Sequence, residues 1–132
     1  MTTIVLPEGA PEEVVTNALV RDVDLAAFGA TGTLALITLD NGHDHTRPNT
    51  LGPQSVASLD AAITEALSHK PAAIAVTGKP FIFAAGADLS AMSFLTERDQ
   101  ALAIGKLGHD VFRRLGEIDI PTFSFINGLA LG

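Results

Sequence analysis

The spacing of apolar residues changes period twice along the first half of the chain. From Asn17 to Leu25 apolar and polar residues alternate, with Leu19, Val23 and Leu25 set against Arg21, Asp22 and Asp24, which predicts a half-buried strand. Thr33–Leu39 (TLALITL) predicts a second strand, and the turn residues Gly29–Gly32 between them make the pair a hairpin. After a polar loop from Asp40 to Leu51 the period lengthens: Val56, Leu59, Ile63, Ala66 and Leu67 recur at three- and four-residue steps, one apolar face of a helix. Pro53 suits its first turn, where a missing N–H costs nothing, and His69-Lys70-Pro71 should end it. Ala73–Thr77, short, apolar and bounded by Pro71 and Gly78, reads as a buried strand. Strand, helix and strand in this order imply a right-handed crossover.

In the second half, Phe81-Ile82-Phe83-Ala84 is an apolar strand that breaks at the small-residue turn Ala85-Gly86-Ala87. A helix is expected to follow at once, with Asp88 as its cap, and Ser90–Leu95 to be short-helical or irregular. Thr96 and Asp99 form a capping-box pattern opening a helix to about Leu115, whose apolar face includes Leu102, Ile104, Leu107, Val111 and Leu115. Gly105 and Gly108 each cost about 1 kcal/mol against alanine inside a helix, so they predict a close neighbour or a kink. Pro121–Ile126 is a further strand, and Asn127-Gly128 a turn into Leu129-Ala130-Leu131-Gly132. Residues 1–13, with Pro7, Gly9 and Pro11, read as an irregular arm, and 14–132 as one domain of α/β class.

Charge narrows the partners. A formal charge of −7, a sequence pI near 4.8 and 8 dispersed lysines and arginines argue against nucleic acid or an anionic membrane. A phosphate-bearing ligand would be held by backbone groups and a few local cations such as Arg47 or Lys79. There are no cysteines and 4 histidines without ligand-pair spacing, so neither a disulfide framework nor a metal centre is expected. The start, MTTIVLPEGAPEE, lacks the basic and apolar regions of a signal peptide, and no apolar run reaches the ~18 residues of a membrane span. Gly78-Lys79 follows a strand, but the rest of a nucleotide-binding GxxxxGK[ST] is absent and Pro80 comes next.

The turn itself carries candidate chemistry. Glycine at 86 permits a backbone conformation that a Cβ resists, and alanines at 84, 85 and 87 let a ligand approach the main chain. Backbone N–H groups presented this way suit a developing oxyanion, whereas an ordinary strand-to-helix turn would use the same residues for packing alone.

Two segments, KPFIFAAGADLSAM (Lys79–Met92) and DIPTFSFINGLALG (Asp119–Gly132), preceded by Leu39–Leu51 where family members have an LNRP-x-x-x-NAL type loop, resemble the enoyl-CoA hydratase/isomerase (crotonase) superfamily. The resemblance runs from about residue 15 to the end and matches the N-terminal half of that domain. It implies a crotonase-like spiral of ββα units with a small perpendicular sheet, incomplete at the C-terminus and exposing apolar surface. Whole domains of the family assemble as trimers or hexamers. It also implies an acyl-CoA thioester as substrate, coenzyme A being part of the substrate and no cofactor being needed.

The resemblance assigns roles residue by residue. Ala87 matches the first oxyanion-hole N–H, and Gly132 the first glycine of the cluster adjoining the second donor. Ala85, Gly86, Asp88 and Leu89 match the segment around the adenine and pantetheine of CoA; Arg47, Pro48 and Thr50 match the loop on its other side. Met92, Phe94 and Leu95 are candidates for the acyl pocket or for plain core. Asp88 is read as a cap or binding-loop residue rather than a proton carrier, since a helix N-terminus favours a charged carboxylate. The two glutamates that hold water in family hydratases lie beyond Gly132, and no glutamate present matches them. Two departures stand out: Gly42–Arg47 is longer and richer in histidine than the common loop, and Ser90 replaces a frequent lysine. The expected function is that of a cytoplasmic 2-enoyl-CoA hydratase of fatty-acid β-oxidation, with a non-catalytic acyl-CoA-binding module or another crotonase-family reaction as alternatives.

Overall fold

The computed structural model describes residues 4–132. Two ββα units follow one another and a third pair of strands completes the described chain. The first unit is β1 (Asn17–Asp24), β2 (Thr33–Asp40) and α1 (Pro53–Ser68); the second is β3 (Ala73–Gly78), β4 (Phe81–Ala84) and α2 (Arg98–Gly116); the last pair is β5 (Thr122–Phe125) and β6 (Gly128–Ala130). One sheet has the order β1-β2-β3-β5, and β4 and β6 form a second, two-stranded sheet. The α/β class expected from the sequence is therefore present, with β2, β3 and β5 parallel and β1 antiparallel at one edge.

The core lies between the four-stranded sheet and α1. Ile37, Leu59, Ile63 and Ile74 are fully buried, and burial of each such side chain contributes about 1.5–3 kcal/mol. β3 is buried along nearly its whole length, as its uninterrupted apolar run requires. The β1–β2 hairpin turns through a single 3-10 turn, Leu25–Phe28, opened by Asp24, whose carboxylate accepts from the Ala26 N–H at 2.9 Å, and closed by Gly29 at φ 76°.

β1 presents the opposite face from the one expected. Cross-strand partners share a face, and Ala18 and Val20 stand opposite the buried Leu39 and Ile37, so they pack inward. Leu19 stands opposite Thr38 and is 54% exposed. Asp22 shares the inward face and meets His69 at the end of α1, Nδ1 to Oδ2 3.0 Å.

Four further expectations are corrected. No helix begins at Asp88; its carboxylate accepts from the Ser90 N–H (2.9 Å) in a local turn, and the next helical residues are the 3-10 turn Met92–Phe94. The Thr96–Asp99 capping box is not formed, because α2 starts at Arg98 behind Glu97 with no side-chain cap. α2 runs unbroken through Gly105 and Gly108, and open space surrounds both, so neither marks a close neighbour; Leu102 on this helix is exposed, while Val111 is buried. Gly128, expected with Asn127 in the turn, already belongs to a strand, β6.

α1 is capped from a distance. Gly52 precedes it without a side chain, and Glu13 supplies the missing acceptor: its carboxylate accepts from the N–H groups of Gln54 (2.8 Å) and Ser55 (2.9 Å) and from the Ser55 hydroxyl (2.6 Å). An anion here is favoured by the unpaired N–H groups and the helix dipole. A Cβ on Gly52 would lie 2.4 Å from the Glu13 Cδ, so this approach requires glycine. Residues 4–13 otherwise form no helix or strand. At the other end of the chain, β5 and β6 are exposed at every residue, and Phe123 and Phe125 stack there with ring centroids 6.3 Å apart.

Candidate functional site

The turn after β4 is held by two other segments. On one side runs the loop from Asn41 to Leu51. Asn49, fully buried, donates from Nδ2 to the carbonyls of Leu39 (2.8 Å) and Phe83 (3.2 Å), accepts at Oδ1 from the Asn41 N–H (3.1 Å), and accepts at its own carbonyl from the Ala85 N–H (2.7 Å). Leu51 continues the contact, donating its N–H to the Gly86 carbonyl (2.9 Å) and accepting from the Asp88 N–H (3.1 Å). This is one rung of a parallel ladder, Leu51 opposite Ala87. In such a rung the Ala87 N–H points away from Leu51. Ala87 is exposed, and its N–H donates to no described residue.

On the other side lies β6. It pairs in parallel with β4, Phe81 opposite Gly128 and Ile82 opposite Leu129, and the Leu131 N–H donates to the Ala84 carbonyl at 3.0 Å. Gly86 has φ 81°, and a Cβ there would lie 2.9 Å from the Gly132 Cα and 3.1 Å from the Leu131 carbonyl oxygen. The two positions singled out from the sequence for an oxyanion site, Gly86-Ala87 and Gly132, are thus in backbone contact. Asn127 sets the entry of β6: its Oδ1 accepts from the Gly78 N–H (3.1 Å), and its Nδ2 donates to the carbonyls of Gly78 (3.0 Å) and Lys79 (2.8 Å). The side-chain amide replaces a strand's backbone where the chain turns from β5 to β6.

The remaining candidates are distributed around this turn. Arg47 is exposed on the loop, Pro48 half-buried beside it, and the Thr50 carbonyl accepts from the Thr16 hydroxyl at 2.7 Å. Ala85 faces the loop, Asp88 is tied to Ser90, and Leu89 is exposed. Met92 and Leu95 line a small groove with Ala87, Asp88, Leu6 and Pro11; Phe94 lies outside its lining. Met92 is 51% exposed, so it is not core. Asp44, in the loop, has its carboxyl held below the ordinary value by the hydroxyl and then the N–H of Thr46.

Lys79 is not a phosphate ligand. It is 3% exposed, and its ammonium is used up by the loop: it donates to Asn41 Oδ1 (2.5 Å) and to the carbonyls of Arg47 (2.7 Å), His43 (2.8 Å) and Asp44 (3.0 Å). Arg47 is left as the exposed cation of the two. Of the site residues that sequence reasoning passed over, Glu13, Asn49 and Asn127 hydrogen-bond backbone far away in the sequence, while Asn41 links the nearby carbonyls of Arg47 and Pro48 to the distant Lys79 ammonium; only the fold shows those partners.

Comparison with known proteins fits this geometry. The pattern describing the family "Enoyl-CoA hydratase/isomerase" matches residues 29–132. The fatty acid oxidation complex subunit alpha of Shewanella frigidimarina is 32% identical over 101 residues, 75% of this chain and 14% of that protein. A probable enoyl-CoA hydratase from Mycobacterium tuberculosis shares the fold with a TM-score of 0.65 at 25% identity, covering 81% of this chain and 40% of that one. An enoyl-CoA hydratase from Bacillus anthracis superposes with a TM-score of 0.69 over 88% of this chain and 42% of that one, a likeness of fold at 22% identity. The chain spans about a seventh of the curated relatives' length and about two fifths of the solved structures' chains. With the signature turn, the Asn127-Gly128 strand entry and a matching family pattern over most of its residues, the chain belongs to the enoyl-CoA hydratase/isomerase family.

Proposed function

We propose that this chain is the CoA-thioester-binding part of an enoyl-CoA hydratase/isomerase domain, in which the Ala87 N–H receives the thioester carbonyl oxygen of a 2-enoyl-CoA. One observation carries the reading: an exposed N–H with no partner among the described residues, on a turn fixed on both sides and in contact with Gly132. As water adds to the β-carbon of the enoyl group, charge moves onto the thioester oxygen, and a prepositioned N–H stabilises the enolate without reorganising. Ala85, Gly86, Asp88 and Leu89 wrap the adenine and pantetheine of the ligand, and Arg47, Pro48 and Thr50 border its other side. We assign Asp88 to holding the turn, because its carboxylate already accepts from Ser90. We assign the reaction to fatty-acid β-oxidation in the cytoplasm, with the complete domain as a trimer or hexamer and coenzyme A entering only as part of the substrate.

A second reading is a module that binds acyl-CoA without turning it over. It is favoured by Glu13, the one glutamate lining the groove beside Ala87, because hydrogen bonds at the start of α1 engage both its carboxylate oxygens. Titration with a 2-enoyl-CoA separates the two: loss of the conjugated thioester absorbance supports the enzyme, and saturable binding with the absorbance retained supports the module. Ala87→Pro removes the N–H and is expected to cost 10²–10³-fold in turnover, roughly 2.7–4 kcal/mol. Unchanged turnover in that variant refutes the assignment.

A further inference from the structure

Lysine seldom lies deep in a protein unless its charge is met. The ammonium of Lys79 is met by four neutral oxygens, and no carboxylate among the described residues forms an ion pair with it. Three N–H donors serve four acceptors, the arrangement of a bound cation inside a ring of carbonyl dipoles. Three of the oxygens belong to the backbone of the exposed 42–47 stretch, and the fourth to Asn41, whose Nδ2 donates in turn to the carbonyls of Arg47 (3.1 Å) and Pro48 (3.2 Å). The backbone of Lys79 is fixed as well: its N–H donates to the Leu39 carbonyl (2.9 Å) and its carbonyl accepts from Asn127.

We propose that Lys79 is a positioning residue: its ammonium is an internal cation around which the 41–47 loop closes, and through Arg47 and Pro48 it sets Asn49 and Leu51, whose backbones hold Ala85 and Gly86. The role for ligand binding rests on the reading of Ala87 as the thioester's oxyanion donor. Lys79 thus connects the segments that meet at the turn, although it faces away from solvent and touches no ligand.

Lys79→Met keeps the packing of the stem and removes the charge and donors. Hydrogen exchange of the variant is expected to accelerate about tenfold at the Ala85 and Leu51 amides while amides of α1 keep their wild-type rates, and its affinity for coenzyme A to fall about tenfold. Wild-type exchange at Ala85 and Leu51 overturns the proposal. Should the variant not fold, amine acetylation of the wild-type chain decides: Lys79 is expected to stay unmodified while the exposed Lys70 and Lys106 react, and equal reactivity of all three overturns it. Failure of the wild-type chain to bind coenzyme A would count against the functional reading, while the exchange rates would still judge Lys79.

Discussion

Replacing Gly86 by alanine tests how tightly the turn is built. Two costs are readable from its surroundings. At φ 81° an L-residue is strained by roughly 1–2 kcal/mol. The new Cβ would also lie 2.9 Å from the Gly132 Cα and 3.1 Å from the Leu131 oxygen, both backbone atoms, and forced overpacking of this kind costs about 1–3 kcal/mol. The expected loss is about 2–5 kcal/mol, a large share of the roughly 5–15 kcal/mol by which a domain is stable. Because the clash is with the end of β6, the strain can also be relieved locally by parting β6 from β4. Urea unfolding gives the global loss, and exchange of the Leu131 amide, which donates to Ala84, gives the local one. Gly105→Ala is the control of opposite sign: nothing lies within 4 Å of its Cβ position in mid-helix, so a gain of about 0.5–1 kcal/mol is expected. If Gly86→Ala unfolds within 0.5 kcal/mol of wild type, a margin typical of neutral surface changes, with Leu131 exchange unaltered, the turn does not have this conformation.

Other expectations follow from the same contacts. Glu13→Gln removes the charge and one of two acceptors at the start of α1 and should destabilise by about 1–2 kcal/mol in urea unfolding. Asn127→Ala leaves the buried Gly78 N–H and the carbonyls of Gly78 and Lys79 without their partner, an expected loss of about 1–3 kcal/mol in thermal unfolding. The Asp44 carboxyl, lowered by Thr46, should titrate below 3.8 by carbon-13 NMR. Its small contribution to loop stability is full above that value and is lost as pH falls through the folded one, and Asp44→Asn should remove this dependence.

The parts of the fold written in periodicity were legible. α1 announces itself by Val56, Leu59 and Ile63, and β3 by an apolar run between Pro71 and Gly78. β1 failed at the level of the face, because its imperfect alternation permits either side and only the pairing of Ala18 with Leu39 decides. Local capping rules failed where a distant group took over or nothing did: Glu13 caps α1 across the chain, while Thr96 caps nothing. In the candidate site, Gly86 and Ala87 could be picked out because a small-residue turn breaks an apolar strand there and the flanking segments resemble the family's, although an ordinary turn would use the same residues. The burial of Asn49 could not be read, since a polar residue in a polar loop gives no sign of it, and Lys79 between β3 and β4 was legible only as a cation; both depend on Leu39, Phe83 and the loop carbonyls arriving around them.

The contact between Gly86 and Gly132 also has a consequence for the order of events during synthesis. The turn emerges from the ribosome long before β6, which must pair with β4 before Gly132 can rest against it. Closing that long intervening loop carries an entropic penalty that short-range contacts do not, so the β1–β2 hairpin and α1 can consolidate first. The turn with its open N–H is then among the last parts of this chain to reach its final shape, and substitutions that weaken the arrival of β6 should slow maturation of the site more than formation of the core.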